Sequence, residues 1–202
     1  MAPVLQVRFL SAAVDLTGVG ALAFTSANGV RAFARLTELR NLPVFAVGAA
    51  TAAAAREAGF AEVRSADGDV AALGRLIAAS RSAFDGLVLH PGATVPAGDL
   101  CGDLARVGVP ARGLAVYETA PLDVPEGFLA DLETFQAVLI HSPRAAARVA
   151  EILRGASARH LAAYGVSADA LAPLETLALG PRTAATLPNE DALLSLLADH
   201  RI

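Results

Sequence analysis

Ala21-Leu22-Ala23-Phe24-Thr25-Ser26 is a short, uncharged, apolar run that ends in two hydroxyl residues and precedes a segment carrying Val30, Phe33 and Leu36. Such a run suits a strand of a parallel sheet covered on both faces, with the hydroxyls at the turn into a helix. The chain contains a second copy of the pattern. Ala137-Val138-Leu139-Ile140-His141-Ser142 precedes a segment with Val149, Ile152 and Leu153, and its serine stands 116 positions after Ser26. The same offset of 116 separates Thr51, which follows Ala46-Val47-Gly48, from Ser167, which follows Ala163-Tyr164-Gly165-Val166. Hydroxyl residues recurring at one offset indicate a duplicated unit, so the chain reads as two similar α/β halves.

Further strand-like runs fall at 44–47, 62–64, 86–89, 113–117, 161–164 and 176–179, alternating with alanine-rich stretches. The stretches carry helix punctuation. Ser142-Pro143 reads as an N-cap followed by proline at the first helical position. Thr51 is placed to cap 52–58 with Gly59 as the terminator, Asp69 to cap 70–79, and Asp99 to open a helix that stops at Gly108. This alternation predicts βαβ units. The first half continues through 86–89, a helix and 113–117. The second half ends at Ile202 without that continuation, so its counterpart is expected ahead of Met1. The opening 3–9 would then match 113–117, and roughly 25 residues would be missing by the repeat. One half is thereby inserted in the other: a complete domain over 9–117, and a second over 1–8 plus 118–202 that lacks its first strand and helix.

Composition excludes several function classes. The 202 residues are 54% hydrophobic and 18% charged, with a net charge of −4, which describes a globular chain and not a disordered one. The 16 basic residues, all arginine, are scattered and the pI is about 5.5, so neither a nucleic-acid surface nor a polybasic membrane patch is expected. Cys101 is the only cysteine, which leaves no internal disulfide and no C-x-x-C knuckle. The first eight residues lack the pattern of a signal peptide, and the apolar stretch 44–55 falls short of the ~18 residues that span a bilayer. A cytoplasmic protein is expected.

In an open parallel sheet, ligands bind beyond the carboxyl ends of the strands. Thr25, Ser26 and Asn28 lie there in the first half, and Ser142, Pro143 and Arg144 in the second. Gly48 to Thr51, Gly165 to Ser167 and the Pro91-Gly92 pair read as further turns of this type. Helix N-termini have unpaired N–H groups and a positive dipole end, so they hold anions without many basic side chains. A cleft lined by such turns from both halves suits a polyanionic small molecule and agrees with the acidic composition. Each hydroxyl equally serves as a cap worth about 1 kcal/mol to the fold and nothing to chemistry.

Other chemistry is sparse. His90, His141, His160 and His200 show no metal-ligand spacing. Ser142 has no G-x-S-x-G setting, and neither G-x-x-x-x-G-K-[ST] nor G-x-G-x-x-G occurs. Hydrogen-bonded structural roles suit His90 and His141, and inert packing suits Cys101. Tyr117 ends a strand-like run before Glu118-Thr119, where the chain passes between halves. Its phenol is a candidate to protonate a leaving group, and a snorkelling tyrosine at a junction is the equal alternative.

These residues together resemble a family. Thr25-Ser26-Ala27-Asn28-Gly29-Val30-Arg31 and Val44-Phe45-Ala46-Val47-Gly48-Ala49-Ala50-Thr51-Ala52 resemble two signatures of the uroporphyrinogen-III synthases. Val116-Tyr117-Glu118-Thr119 with Pro121 is similar to their return linker, and Ile140-His141-Ser142-Pro143-Arg144 to their second serine turn. Each motif alone is weak; their order and spacing carry the resemblance over nearly the whole chain. It implies two parallel-sheet, flavodoxin-like α/β domains joined by a two-stranded linker, one inserted in the other. It implies further that hydroxymethylbilane, a linear tetrapyrrole with eight carboxylates, loses its terminal hydroxyl and closes through a spiro intermediate with inversion of the last ring. Tyr117 would be the acid. Thr25, Ser26, Asn28, Gly48, Thr51, Pro91, Gly92, Ser142, Pro143, Arg144 and Ser167 would bind substrate. No cofactor and no metal are implied, and a monomer in transient contact with the preceding pathway enzyme is expected.

The sequence departs from the family at its beginning, at His90-Pro91-Gly92 (many members carry arginine before the glycine) and over 180–188. These departures keep a second reading open: a non-catalytic or impaired two-lobed module that binds a small polyanion.

Overall fold

The Ser26 turn shows how the residue types set the local structure. Phe24 closes a strand, and Ser26, in extended backbone, accepts a hydrogen bond from the Asn28 N–H to open a helix over Ala27–Leu36. The computed structural model describes residues 3–187 and 189–199; His200 lies outside them. The chain divides into a continuous unit, Val7–Thr119, and a split unit, Met1–Gln6 with Ala120–Ile202.

The continuous unit contains β2 (Val19–Phe24), α1 (Ala27–Leu36), β3 (Val44–Ala46), α2 (Ala49–Glu57), β4 (Val63–Ser65), α3 (Val70–Ala79), β5 (Leu87–Ala93), α4 (Leu100–Arg106) and β6 (Ala111–Pro121), with β1 (Leu5–Phe9) ahead of them. The sheet runs β1-β6-β5-β2-β3-β4, and β2 to β6 pair in parallel. Leu10 N–H bonds the Val116 carbonyl and Leu122 N–H that of Val4. One strand's numbers rise as the other's fall, so β1 and β6 are antiparallel. The division between units falls within both strands.

Counted along the chain, the five parallel strands lie in the order 3-2-1-4-5. Flavodoxin has 2-1-3-4-5, so the flavodoxin-like expectation needs correction in its strand order; entering the cycle at β5 recovers that order. Alternate residues face opposite layers. Ala21, Ala23, Phe45 and Val88 pack with Leu73 and Ile77 of α3 and Leu100 and Leu104 of α4. Leu22, Phe24, Val44 and Leu89 pack with Val30 and Phe33 of α1 and Ala54 and Ala55 of α2. Phe24 meets Phe33 edge-on at 5.9 Å between ring centroids, a favourable aromatic geometry. Arg40 binds the loose ends together. Its guanidinium donates to the carbonyls of Ala34, Thr37, Leu39 and Ala58 and lies over Phe60, a cation placed at the negative end of a helix.

In the split unit, β7 (Ala137–Ile140), α5 (Pro143–Ile152), β8 (Ala162–Gly165), α6 (Ala168–Leu171), β9 (Arg182–Ala184) and α7 (Glu190–Asp199) follow the same succession as β2 to α3. The three strands are parallel in the order β7-β8-β9. Ile140 and Ala163 pack under Val149, Ala170 and Leu171 on one face. Ala162 and Tyr164 pack under Leu193 on the other.

Four sequence expectations are corrected. The last strand is Arg182–Ala184 and not 176–179: Leu177 and Leu179 pack into the core from a loop, with Leu179 making only one bridge, to Ala158. The β5 strand extends to Ala93, which takes in Pro91 and Gly92. Beyond Leu89 it has only β6 as a partner, which is where a residue without an N–H is tolerated. The β6 strand continues to Pro121, so Tyr117 lies within it. Finally, α2 opens at Ala49 with Gly48 as its cap, which leaves Thr51 inside the first turn.

Gly29 lies in the first turn of α1, buried against β5, where an added Cβ would stand 2.7 Å from the Pro91 carbonyl oxygen. Gly29→Ala gains helix propensity but forces backbone apart. A loss of about 1–3 kcal/mol is expected in urea unfolding; a variant as stable as the parent would contradict this packing.

Candidate functional site

Every parallel strand that leads into a helix delivers that helix's N-terminus to the same edge of its sheet. In the continuous unit this edge carries Thr25, Ser26 and Asn28, all half-buried, and Gly48, whose backbone alone opens α2. In the split unit it carries Ser142, which accepts from the Ala145 N–H, and Ser167, which accepts from the Ala170 N–H. Pro143 and Arg144 occupy the first turn of α5 and are exposed. Ser26, Ser142 and Ser167 are therefore caps, each committing its side-chain oxygen to one N–H; at α1 and α6 other first-turn N–H groups stay available, while Pro143 brings none to α5.

The second recurrence of the sequence does not join equivalent positions. Ser167 is the N-cap of α6, whereas Thr51 is inside α2, 6% exposed, and the position equivalent to Ser167 is Gly48. The hydroxyl marks Thr51 as a turn residue, but the backbone selects the glycine three residues earlier. Pro91 and Gly92 are buried within β5 and not in a turn.

The order of strands in the continuous unit reverses between β2 and β5, the switch point where ligands of such sheets bind. Thr25 follows β2 there, and His90 is the middle residue of β5, the first beyond its pairing with β2. Thr25 Oγ1 and His90 Nε2 are 3.1 Å apart, and His90 is 7% exposed. Burial disfavours the imidazolium and holds the His90 pKa below the ordinary 6.5, so the ring is neutral. A cavity of about 230 Å³ opens beside it, walled by Gly92, Thr94, Asp99, Leu100, Cys101 and Leu114 among others. Burial and the nearby Asp99 raise the pKa of Cys101, which makes it a thiol and not a nucleophile.

Tyr117 is 9% exposed and packs with Ala32 and Val116, against Leu36, Ala93 and Leu114. Most of its ring is core. In the split unit, His141 meets Glu190, a contact that no motif in the chain announces. His141 Nε2 lies 2.7 Å from Glu190 Oε2, beside the Ser142 turn, with both side chains at least half exposed. Glu190 opens α7, and only the tertiary return of that helix brings it to β7. Among the described residues no group of three His, Cys, Asp or Glu side chains could hold a metal ion, and no helix is long and apolar enough to cross a membrane.

The neutral His90 has a consequence for stability. Below about pH 6.5 the unfolded chain takes up a proton at this residue that the folded chain refuses. Its contribution is complete above that pH and is lost as pH falls through the lowered folded value. His90→Gln, which cannot titrate, is expected to lose less stability than the parent between about pH 7 and about pH 5. Parallel unfolding curves for the two proteins across that range would contradict it.

A sequence model described as uroporphyrinogen-III synthase HemD matches residues 1–195. A search of curated proteins gave no match. Two solved structures share the fold. The uroporphyrinogen-III synthetase of Helicobacter pylori aligns at TM-score 0.74 and 20% identity, covering 98% of this chain and 91% of that one. A mutant uroporphyrinogen III synthase of the extremely thermophilic bacterium Thermus thermophilus aligns at TM-score 0.58 and 19% identity, covering 98% of this chain and 86% of that one. Matched to the family model over nearly its entire length, and built on a parallel-sheet α/β fold like that of solved synthases, the chain belongs to the uroporphyrinogen-III synthase family.

Proposed function

We propose that this chain is a cytoplasmic lyase that converts hydroxymethylbilane to uroporphyrinogen III, with inversion of the last ring. The observation that carries the reading is the family match over residues 1–195. The helix openings at Ser26, Gly48, Ser142 and Ser167 support it. Unpaired N–H groups at the openings of α1, α2 and α6, with the hydroxyl of Thr25, are donors suited to the substrate's carboxylates. They explain how a chain of net charge −4 takes a polyanion: the donors are fixed dipoles and carry no net charge.

In this reading the substrate's terminal hydroxyl takes a proton and departs as water, leaving an azafulvene. The substituted carbon of the last ring attacks the electrophilic methylene carbon, and the spiro intermediate that results opens and recloses with that ring inverted. Tyr117 is the proposed proton source. The phenol returns to its acid form with a proton from the pyrrole carbon that loses one on ring closure, so no oxidant, reductant or metal is consumed. Holding the substrate folded over its last ring is the larger task, because the unassisted substrate closes at the unsubstituted carbon of that ring without inversion. The buried packing of Tyr117 favours the competing reading, a two-lobed binder of small polyanions without turnover.

Separation of the uroporphyrin isomers after oxidation distinguishes the two, with hydroxymethylbilane generated in situ. Type III is expected from this chain, and type I alone would leave only the binder. Tyr117→Phe is expected to lower kcat about a hundredfold with KM little changed. A variant with full kcat would remove Tyr117 from the mechanism and return it to the core.

A further inference from the structure

We propose that His90 is a positioning residue for the Thr25 turn: its Nε2–H donates to Thr25 Oγ1, leaving the Thr25 hydroxyl proton for a substrate carboxylate. The inference rests on the synthase reading above and assigns a role to a side chain which that reading does not use.

The argument begins with donor counting. A threonine hydroxyl has one proton to give and two lone pairs. A neutral imidazole 3.1 Å away either accepts that proton at Nε2 or donates its own. If it accepts, Thr25 turns only lone pairs to an anion and repels it. If it donates, the hydroxyl is held at its oxygen while its proton stays free. Donation from the Thr25 hydroxyl to an anion therefore requires the Nε2–H tautomer.

The position of the pair supports the same assignment. His90 shares a face of β5 with Val88, and Thr25 continues the face of Ala21 and Ala23 on the neighbouring β2. Val88, Ala21 and Ala23 all pack in the layer under α3 and α4. The imidazole is thus held within β5 by that strand's pairing with β6, beside the residue that follows β2. Gly92 accommodates it. A Cβ there would stand 3.2 Å from His90 Nε2, so the ring lies over the glycine in the place a side chain would contest. Across the cavity from the ring, Asp99 and Cys101 are the ionisable side chains of the wall. Neither makes a hydrogen bond to the imidazole among those found for His90 in the described residues, so Thr25 is the contact that fixes Nε2.

The experiment combines kinetics with a tautomer measurement. His90→Leu is expected to raise KM for hydroxymethylbilane about tenfold with kcat changed less than about threefold, and His90→Gln, whose amide can donate from a similar place, to restore most of it. Thr25→Val is expected to match His90→Leu, and the double variant to be no worse than Thr25→Val alone, because the two residues act as one. Long-range nitrogen–proton NMR of the imidazole requires no turnover and is expected to show Nε2 protonated in the parent. Additive effects in the double variant, an unchanged KM in folded His90→Leu, or an unprotonated Nε2 would each overturn the inference and leave the synthase reading standing. If His90→Leu does not fold, the tautomer and the Gln variant decide. A parent chain that makes only type I isomer overturns the synthase reading and this inference with it.

Discussion

Parallel pairing is the constraint on which the rest of this protein depends. Once β2 to β6 run the same way, and β7 to β9 likewise, each strand must be followed by a crossover that covers a face of its sheet. The faces of the central strands are then dry, so β2, β3 and the start of β5 are apolar and the helices turn apolar side chains onto them. The alanines of α2 and α5 and the phenylalanines of β2 and β3 meet that demand. The same constraint puts the start of the helices that follow β2, β3, β7 and β8 at one edge of their sheet. The proposed binding chemistry follows from topology before any special side chain is invoked.

An acidic protein that binds a polyanion has to concentrate donors without concentrating positive charge. Helix openings do so because their N–H groups are oriented by the backbone and need no reorganisation when an anion arrives. Their effect is local, falling off within a turn, so their number and spacing matter more than net charge. Hydroxyls near those openings contribute only if their single proton points outward. A cap such as Ser26 accepts from the helix with its oxygen and keeps its proton free. Thr25 caps nothing, and its orientation falls to His90. Gly29 and Gly92 complete the arrangement by letting α1 and the imidazole approach β5 closely.

Much of this was legible in the residues, and the failures share a cause. Ser26, Asp69, Asp99 and Ser142 were readable as helix starts because a cap is a local event: an oxygen, an extended backbone and an N–H two or three residues later. The strand at 137–140 was readable because its apolar run is bounded on both sides. Thr51 misled because composition marks a hydroxyl and not the backbone angles that make Gly48 the cap. The run at 176–179 misled because Leu177 and Leu179 pack half-buried against the core from a loop, and such packing alone does not make a strand. Pro91 hid the end of β5, since tolerance of proline there depends on β2 having already ended its pairing. The contacts of His90 with Thr25 and of His141 with Glu190 span 65 and 49 residues, and no local pattern encodes separations of that kind.

The central claim is that substrate carboxylates are held by the helix openings of this chain. A backbone amide NMR titration with uroporphyrinogen III, kept reduced, tests it most directly. The account predicts the largest shifts at the first-turn amides of α1, α2 and α6 that no cap takes, around Gly29, Ala50 and Asp169, and their loss when the octamethyl ester replaces the acid. Shifts centred elsewhere, or undiminished with the ester, would contradict it.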